Sequence, residues 1–294
     1  MKADLEVVIT SYNQHEMIND AVKSVAKQTL LPKKIIIIDD GSDDKESQEE
    51  LRKIENTDYG IEIIVERQTN KGVSAARNHG IKMTESKYIM VFDGDDILDH
   101  NYCKNVLQLL EEDKSMIAAS SWMKSFGALF AEIRPDGGDI RAFLSHNCCS
   151  ATHIFRREAW EKCGGYDEQM KNGFEDWDYF LSMLETVEDS SIGIVNKPLM
   201  FYRTAPVSSN IQSMNKRIDI MRYLIRKHKL SYEKYLEDAL LGLEKISMFR
   251  LAGWESEMAL SSGNRDMSEM TKSFLSSPTY GDGGMAAAVR IASR

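Results

Sequence analysis

The chain has no uninterrupted apolar stretch approaching the roughly 20 residues a membrane-crossing helix needs. Its first residues, Met1-Lys2-Ala3-Asp4-Leu5-Glu6, carry no apolar core of signal-peptide length, because Asp4 and Glu6 interrupt it. A soluble or peripherally attached protein is therefore expected. Positive charge is in deficit: 37 Lys and Arg against 46 Asp and Glu leave a net charge of -9. Non-specific nucleic-acid binding needs an electropositive face, so that class is set aside. Cysteine is scarce. Cys103, Cys148, Cys149 and Cys163 form no CxxC pair, and the adjacent two are badly spaced for zinc. Buried free thiols in a reducing, cytoplasmic compartment are the expectation. The six histidines form no HxxxH pair, so none is assigned to a metal or to catalysis. GxSxG, P-loop and GxGxxG motifs are all missing, and no internal repeat is found.

What the chain does have is alternation. Its 294 residues suffice for one large domain and an appendage. Strands are expected at Glu6 to Ser11, Lys34 to Ile38, Ile61 to Val65, Lys87 to Phe92 and Met116 to Trp122. Helices fall between them: His15 to Lys27, a stretch capped by Asp43 or Asp44 and running to about Ile54, Gly72 to Met83, and Asn101 to Glu111. Such alternation predicts an α/β fold, a Rossmann-like, mostly parallel sheet with helices on both faces. Gly127 to Gly138 reads as a long loop of the kind that lids a site. A short helix from Glu158 to Lys162, a helix from Asp176 to Val187 and a last strand from Pro198 to Tyr202 follow. The expected division is residues 1–205 as the enzyme domain and 206–294 as a helical C-terminal appendage. In the latter, two helices span Met214 to about Met258, and a loosely ordered tail begins at Ser261.

Three acidic clusters stand out: Asp39-Asp40-Gly41-Ser42, Asp93-Gly94-Asp95-Asp96 and Glu175-Asp176-Trp177-Asp178. The first two directly follow apolar runs, and the carboxyl ends of parallel strands are where open α/β sheets bind ligands. In Asp93-Gly94-Asp95, residues i and i+2 reach one cation while Gly94 allows a tight backbone. Hard oxygen ligands suit Mg2+ or Mn2+ bridging to phosphate. Asp40 is placed to accept hydrogen bonds from a base or sugar. Arg77, on a helix opened by Gly72, can anchor a phosphate or hold a neighbouring aspartate. Asp176, in the first turn of a helix, is a candidate base. Each signal has a plainer counterpart: a β-turn, an N-cap, a surface ion pair, or, for Trp177, a core side chain.

In combination they are specific. Val7-Val8-Ile9-Thr10-Ser11-Tyr12-Asn13, Ile-Ile-Asp-Asp-Gly-Ser-Asp-Asp at 37 to 44, Asn70-Lys71-Gly72 with Ala76-Arg77-Asn78, Phe92-Asp93-Gly94-Asp95-Asp96, Gly164-Gly165-Tyr166-Asp167-Glu168 and Glu175-Asp176-Trp177-Asp178 occur in that order. The series resembles the inverting family 2 glycosyltransferases of GT-A fold, over about residues 5–205. The resemblance implies Thr10, Ser11 and Tyr12 against the uracil of a UDP-sugar, with Asp40 on the base and Asp39 supporting it. It implies Arg77 holding the nucleotide, Asp93 and Gly94 at the ribose or sugar side, and Asp95 as ligand of a Mn2+ or Mg2+ cofactor. Asp176 would deprotonate the acceptor hydroxyl, with Gly164, Gly165, Glu175 and Trp177 on the acceptor side. One departure is present. Tyr202-Arg203 runs into Thr204-Ala205-Pro206, where many relatives have a histidine, so a second metal contact there is not implied.

The expected activity is metal-assisted, inverting sugar transfer by single displacement, in polysaccharide or glycoconjugate synthesis. The donor is a nucleotide-sugar, and the acceptor a saccharide, lipid-linked or protein hydroxyl. A sugar nucleotidyltransferase would carry a Gly-rich phosphate loop after Ser11, which is absent. A catalytically silent nucleotide-sugar-binding scaffold would not need all three acidic clusters intact. The basic stretch Met214 to Lys229 suits an anionic membrane surface, this protein's own acidic surface, or a second subunit in an oligomer, with either of the last two favoured over the membrane.

Overall fold

Four apolar runs at the start of the chain pair in parallel. They are β1 (Leu5–Ser11), β2 (Lys34–Asp39), β3 (Glu62–Arg67) and β4 (Tyr88–Asp93). All seven residues of β1 are buried, as a strand covered on both faces requires. The crossovers are α1 (Met17–Ala26), α2 (Lys45–Glu55) and α3 (Val73–Lys82). Asp44 caps α2 by accepting from the Ser47 amide. Alternate residues of β1 feed two cores. Val7 and Ile9 pack with Ile18 and Val22 of α1, while Val8 packs with Ala76 and Ile81 of α3.

The computed structural model describes residues 2–206, 213–261, 269–281 and 283–292. The sheet continues through β5 (Ile97–Leu98), β6 (Met116–Gly127), β7 (Ala131–Ile133), β8 (His153–Arg156) and β9 (Ser191–Thr204). Its order is β3-β2-β1-β4-β8-β6-β9-β5, with β7 paired on β6. By the pairing directions, β5, β7 and β8 run against the other six, so the sheet is mostly parallel. Helices α4 (Tyr102–Glu112), α5 (Ile140–Phe143), α6 (Arg157–Cys163) and α7 (Glu175–Thr186) complete this part.

Several local expectations are corrected. The last strand begins at Ser191, not Pro198, because it pairs in parallel with β6 from Met116↔Ser191 to Gly127↔Thr204, and Pro198 sits at a register shift, where a strand tolerates proline. Gly127 to Gly138 is not an open lid, since Ala131–Ile133 folds back on β6. The C-terminal region has three helices between 217 and 261, not two: α8 (Arg217–Lys227), α9 (Lys229–Lys234) and α10 (Leu236–Ser261). In the tail, residues 262–268 lie outside the described ones, but α11 (Glu269–Ser276) and α12 (Gly284–Ala292) are ordered elements. Met285, Ala288 and Val289 of α12 are buried in the same core as β1, so this stretch is not a loose tail.

Much of the basic stretch pairs within the protein. Lys227 bridges Asp167 and the fully buried Asp178, Arg222 meets Asp219, and Lys216 donates to Asn172. His228 lies between Asp178 and Glu185. The four cysteines are free, and all but Cys163 are buried. Among the described residues no helix is long and apolar enough to cross a membrane.

Candidate active site

The carboxyl ends of β1, β2 and β4 meet as the parallel register requires, with Thr10 opposite both Ile38 and Asp93. Asp39 is buried and turned inward. Its Oδ1 accepts from the Ser42 amide at 3.0 Å and hydroxyl at 2.6 Å, which shapes the turn. Asp40 orders the neighbouring loop. Gln68 Nε2 and the Lys71 amide donate to Oδ1, and the Gly72 amide donates to Oδ2. A carboxylate offers about four acceptor positions, so Oδ2 keeps one open. Tyr12, immediately after β1, is 47% exposed and presents an open aromatic face.

At the end of β4, Gly94 is required by packing, since a Cβ there would meet Gln14, Ile18 and the Thr10 carbonyl oxygen. Asp93 accepts from Arg77 Nη2 at 2.8 Å, and Glu175 accepts from Arg77 Nη1 at 2.9 Å. Arg77 is only 2% exposed. Burial opposes its charge, yet Asp93, Tyr166 and Glu175 hold the guanidinium protonated well beyond its usual range. It therefore clamps β4 to α7. Burial and the Asp93 charge push the Asp95 carboxyl up to about 6. Burial and both neighbouring aspartates raise Asp96 further; its Oδ1 accepts from the Arg203 amide, and its buried Oδ2 has no partner.

Helix α7 starts from Phe174, a non-glycine residue at φ 65, a backbone strain of the kind that collects at functional sites. This turn aims Asp176 inward. Its Oδ1 accepts from the Trp177 amide at 2.8 Å and its Oδ2 from Asn147 Nδ2 at 2.9 Å. Burial and the Glu175 charge outweigh those bonds and Arg77, so the carboxyl is pushed up to about 7. A carboxylate poised there exchanges protons near neutral pH.

These groups surround a cavity of about 180 Å³ lined by Arg77, Asp93, Asp96, Glu175, Asp176 and Trp177. Asp95 lies in the adjoining turn; Thr10, Ser11, Tyr12, Asp39 and Asp40 lie around the β1 and β2 ends and do not line it. Trp177 is 1% exposed and gives Nε1 to the Phe143 carbonyl, so it forms a wall and not an open sugar platform. Gly164 and Gly165 do not reach the cavity either. They end α6 and bring Tyr166 onto Asn78, whose side chain brackets the Tyr166 backbone, and onto Tyr179, ring centroids 3.9 Å apart. Tyr202, from the Tyr202-Arg203 pair, and Arg217, from the basic stretch, also line the cavity, and so do Asn147 and Tyr280, to which no motif pointed. No spacing announces them, because each arrives from a distant segment.

With this geometry in view, the chain belongs to glycosyl transferase family 2, whose profile matches residues 6–164. It is a glycosyltransferase of GT-A fold. It is 24% identical over 248 residues to an uncharacterized glycosyltransferase of Haemophilus influenzae, covering 80% of this chain and 79% of that one. It is 34% identical over 116 residues to the minor teichoic acid biosynthesis protein GgaB of Bacillus subtilis, covering 39% of this chain but only 13% of that protein. Among solved structures, S. aureus TarS 1-349 in complex with UDP-GlcNAc superposes with a TM-score of 0.61 at 17% identity, covering 81% of this chain and 72% of that one.

Proposed function

We propose that this protein moves a sugar from a UDP-sugar to a hydroxyl of a saccharide acceptor, with inversion, in the synthesis of a cell-surface polysaccharide or glycoconjugate. The observation that carries this reading is Asp176, held by the Asn147 side chain and the Trp177 amide on the same cavity as Asp93. The acceptor oxygen gives its proton to Asp176 and bonds to the anomeric carbon as the bond from that carbon to the diphosphate oxygen breaks. Tyr12 and the open position on Asp40 Oδ2 receive the uracil, the latter taking its ring N–H. Arg77 acts by fixing Asp93 and Glu175, since its own charge is already engaged. The GgaB and TarS likenesses support a cell-wall polymer context and a UDP donor.

The acidic turn fits a divalent cation. Asp93 and Asp95 repel each other, Asp95 is pushed up, and Asp96 Oδ2 is unpartnered, a local deficit of positive charge. Among the described residues no group of three or more acidic, histidine or cysteine side chains is arranged to hold a metal ion by itself. Asp95, with Asp93, would thus hold Mg2+ or Mn2+ together with diphosphate oxygens and water, a common arrangement for such ions. When bound, the ion would neutralise charge on the leaving diphosphate.

Thermal-shift titration with UDP, GDP and their sugars, with and without Mn2+ and EDTA, tests both parts. UDP should raise the melting temperature only with the metal, and Asp95→Ala should abolish that dependence. Equal stabilisation by GDP would remove the uridine assignment, and equal UDP binding in EDTA would remove the metal.

A further inference from the structure

Part of the cavity wall comes from a strap far outside the family match, residues 277–281 and 283. Tyr280, Gly281, Gly283 and Met285 stand on that wall. Both ends are anchored. Phe274 and Leu275 pack against the core that buries Met285, Ala288 and Val289, and the Met285 amide donates to the Thr279 carbonyl at 3.0 Å. The backbone fits too closely to be incidental. Gly281 has φ 80, and a Cβ there would overlap the carbonyl oxygen of Asn147, the residue that holds Asp176. Arg217 Nη2 donates to the Gly281 carbonyl at 3.5 Å while its guanidinium lies over Phe174 and Trp177. Burial and the Asp176 charge keep the Tyr280 phenol un-ionised, so it adds bulk without negative charge. With this strap in place the cavity, about 180 Å³, is smaller than the ~300–1,000 Å³ of typical ligand pockets.

We propose that Tyr280 is a specificity-determining residue on the acceptor side, its ring excluding water from the space beside Asp176 so that a sugar hydroxyl, and not water, takes up the donor's anomeric carbon. The proposal rests on the sugar-transfer reading above. Water entering the same space would lose a proton to Asp176 and bond to the anomeric carbon as UDP departs, giving free sugar and UDP.

The test measures UDP released without any acceptor by the full chain, with UDP-GlcNAc, UDP-glucose and UDP-galactose as probes and Mn2+ present. Release should rise through the series Tyr280→Phe, Tyr280→Leu, Tyr280→Ala, reaching on the order of tenfold, the rate equivalent of about 1.4 kcal/mol. UDP affinity should stay native throughout, a result that general loosening of the fold would not leave intact. Release independent of side-chain size at 280 overturns the proposal alone. An unaltered chain that neither binds UDP nor releases it from any probe overturns the transferase reading, and this proposal with it.

Discussion

Asn147 donates its side-chain amide to Asp176 Oδ2 across 2.9 Å. The bond joins a loop residue to the first turn of α7, 29 positions away, and it favours the ionised form of a carboxyl that burial and Glu175 push the other way. The proton affinity of Asp176 is thus the balance of opposing contacts, each of which a single substitution can shift.

Transfer should therefore lose rate as pH falls through about 7, where Asp176 gains its proton. Asn147→Ala removes a donor to the carboxylate, so the acid limb should move to higher pH and the rate at neutral pH should drop. A pH profile of kcat/KM for both proteins measures this. An acid limb at the ordinary aspartate range, near 4, would mean that Asp176 is not the base.

Asp176→Asn keeps the size of the side chain but cannot take a proton. Loss of a general base costs about 10²- to 10⁴-fold in rate. UDP affinity should remain near native, because the base faces the acceptor. Calorimetry with UDP beside a transfer assay separates the two. A native transfer rate would shift the role to Glu175.

Arg77→Ala strands Asp93 and Glu175, both paired to a residue that is 2% exposed. Removing one partner of a buried ion pair costs about 3–5 kcal/mol. Urea unfolding should show a loss of that order, and Arg77→Lys should recover only part of it, since a single ammonium does not reproduce the two-pronged guanidinium. Losing this charge should also raise the Asp176 pKa, because Arg77 is one of the groups that lower it.

His228 couples α9 to α7 through pH. Burial lowers its proton affinity, but bonds to Asp178 at 3.0 Å and Glu185 at 2.8 Å more than compensate, so its pKa is raised. Lys227 and Asp167 also face this cluster. A raised histidine stabilises the folded state most fully below its unfolded value, about 6.5, and that contribution disappears as pH climbs through the folded value. The difference in melting temperature between the native chain and His228→Gln should accordingly be largest at pH 6 and shrink in alkaline buffer. A difference that is constant with pH would remove the charge from the explanation.

The sequence by itself determined the alternating front half of the fold. Its strands are continuous apolar runs, its helices have one buried stripe, and Asp39, Asp93 and Asp176 follow from their places at strand ends and a helix start. Those features depend on neighbours within a few residues, so they are legible in one dimension. Tertiary structure alone decided the rest. β6 and β9 reach their full lengths only against each other, and β8 is too short at four residues to show a period. Arg77 is a buried clamp because Asp93 and Glu175, 16 and 98 positions further along the chain, converge on it. Trp177, Gly164 and Gly165 took packing positions that their motifs did not distinguish from binding ones. Asn147 and Tyr280 reach the cavity from loops with no local signature. Which side chains share a cavity depends on where the chain returns in space, and no local pattern encodes that.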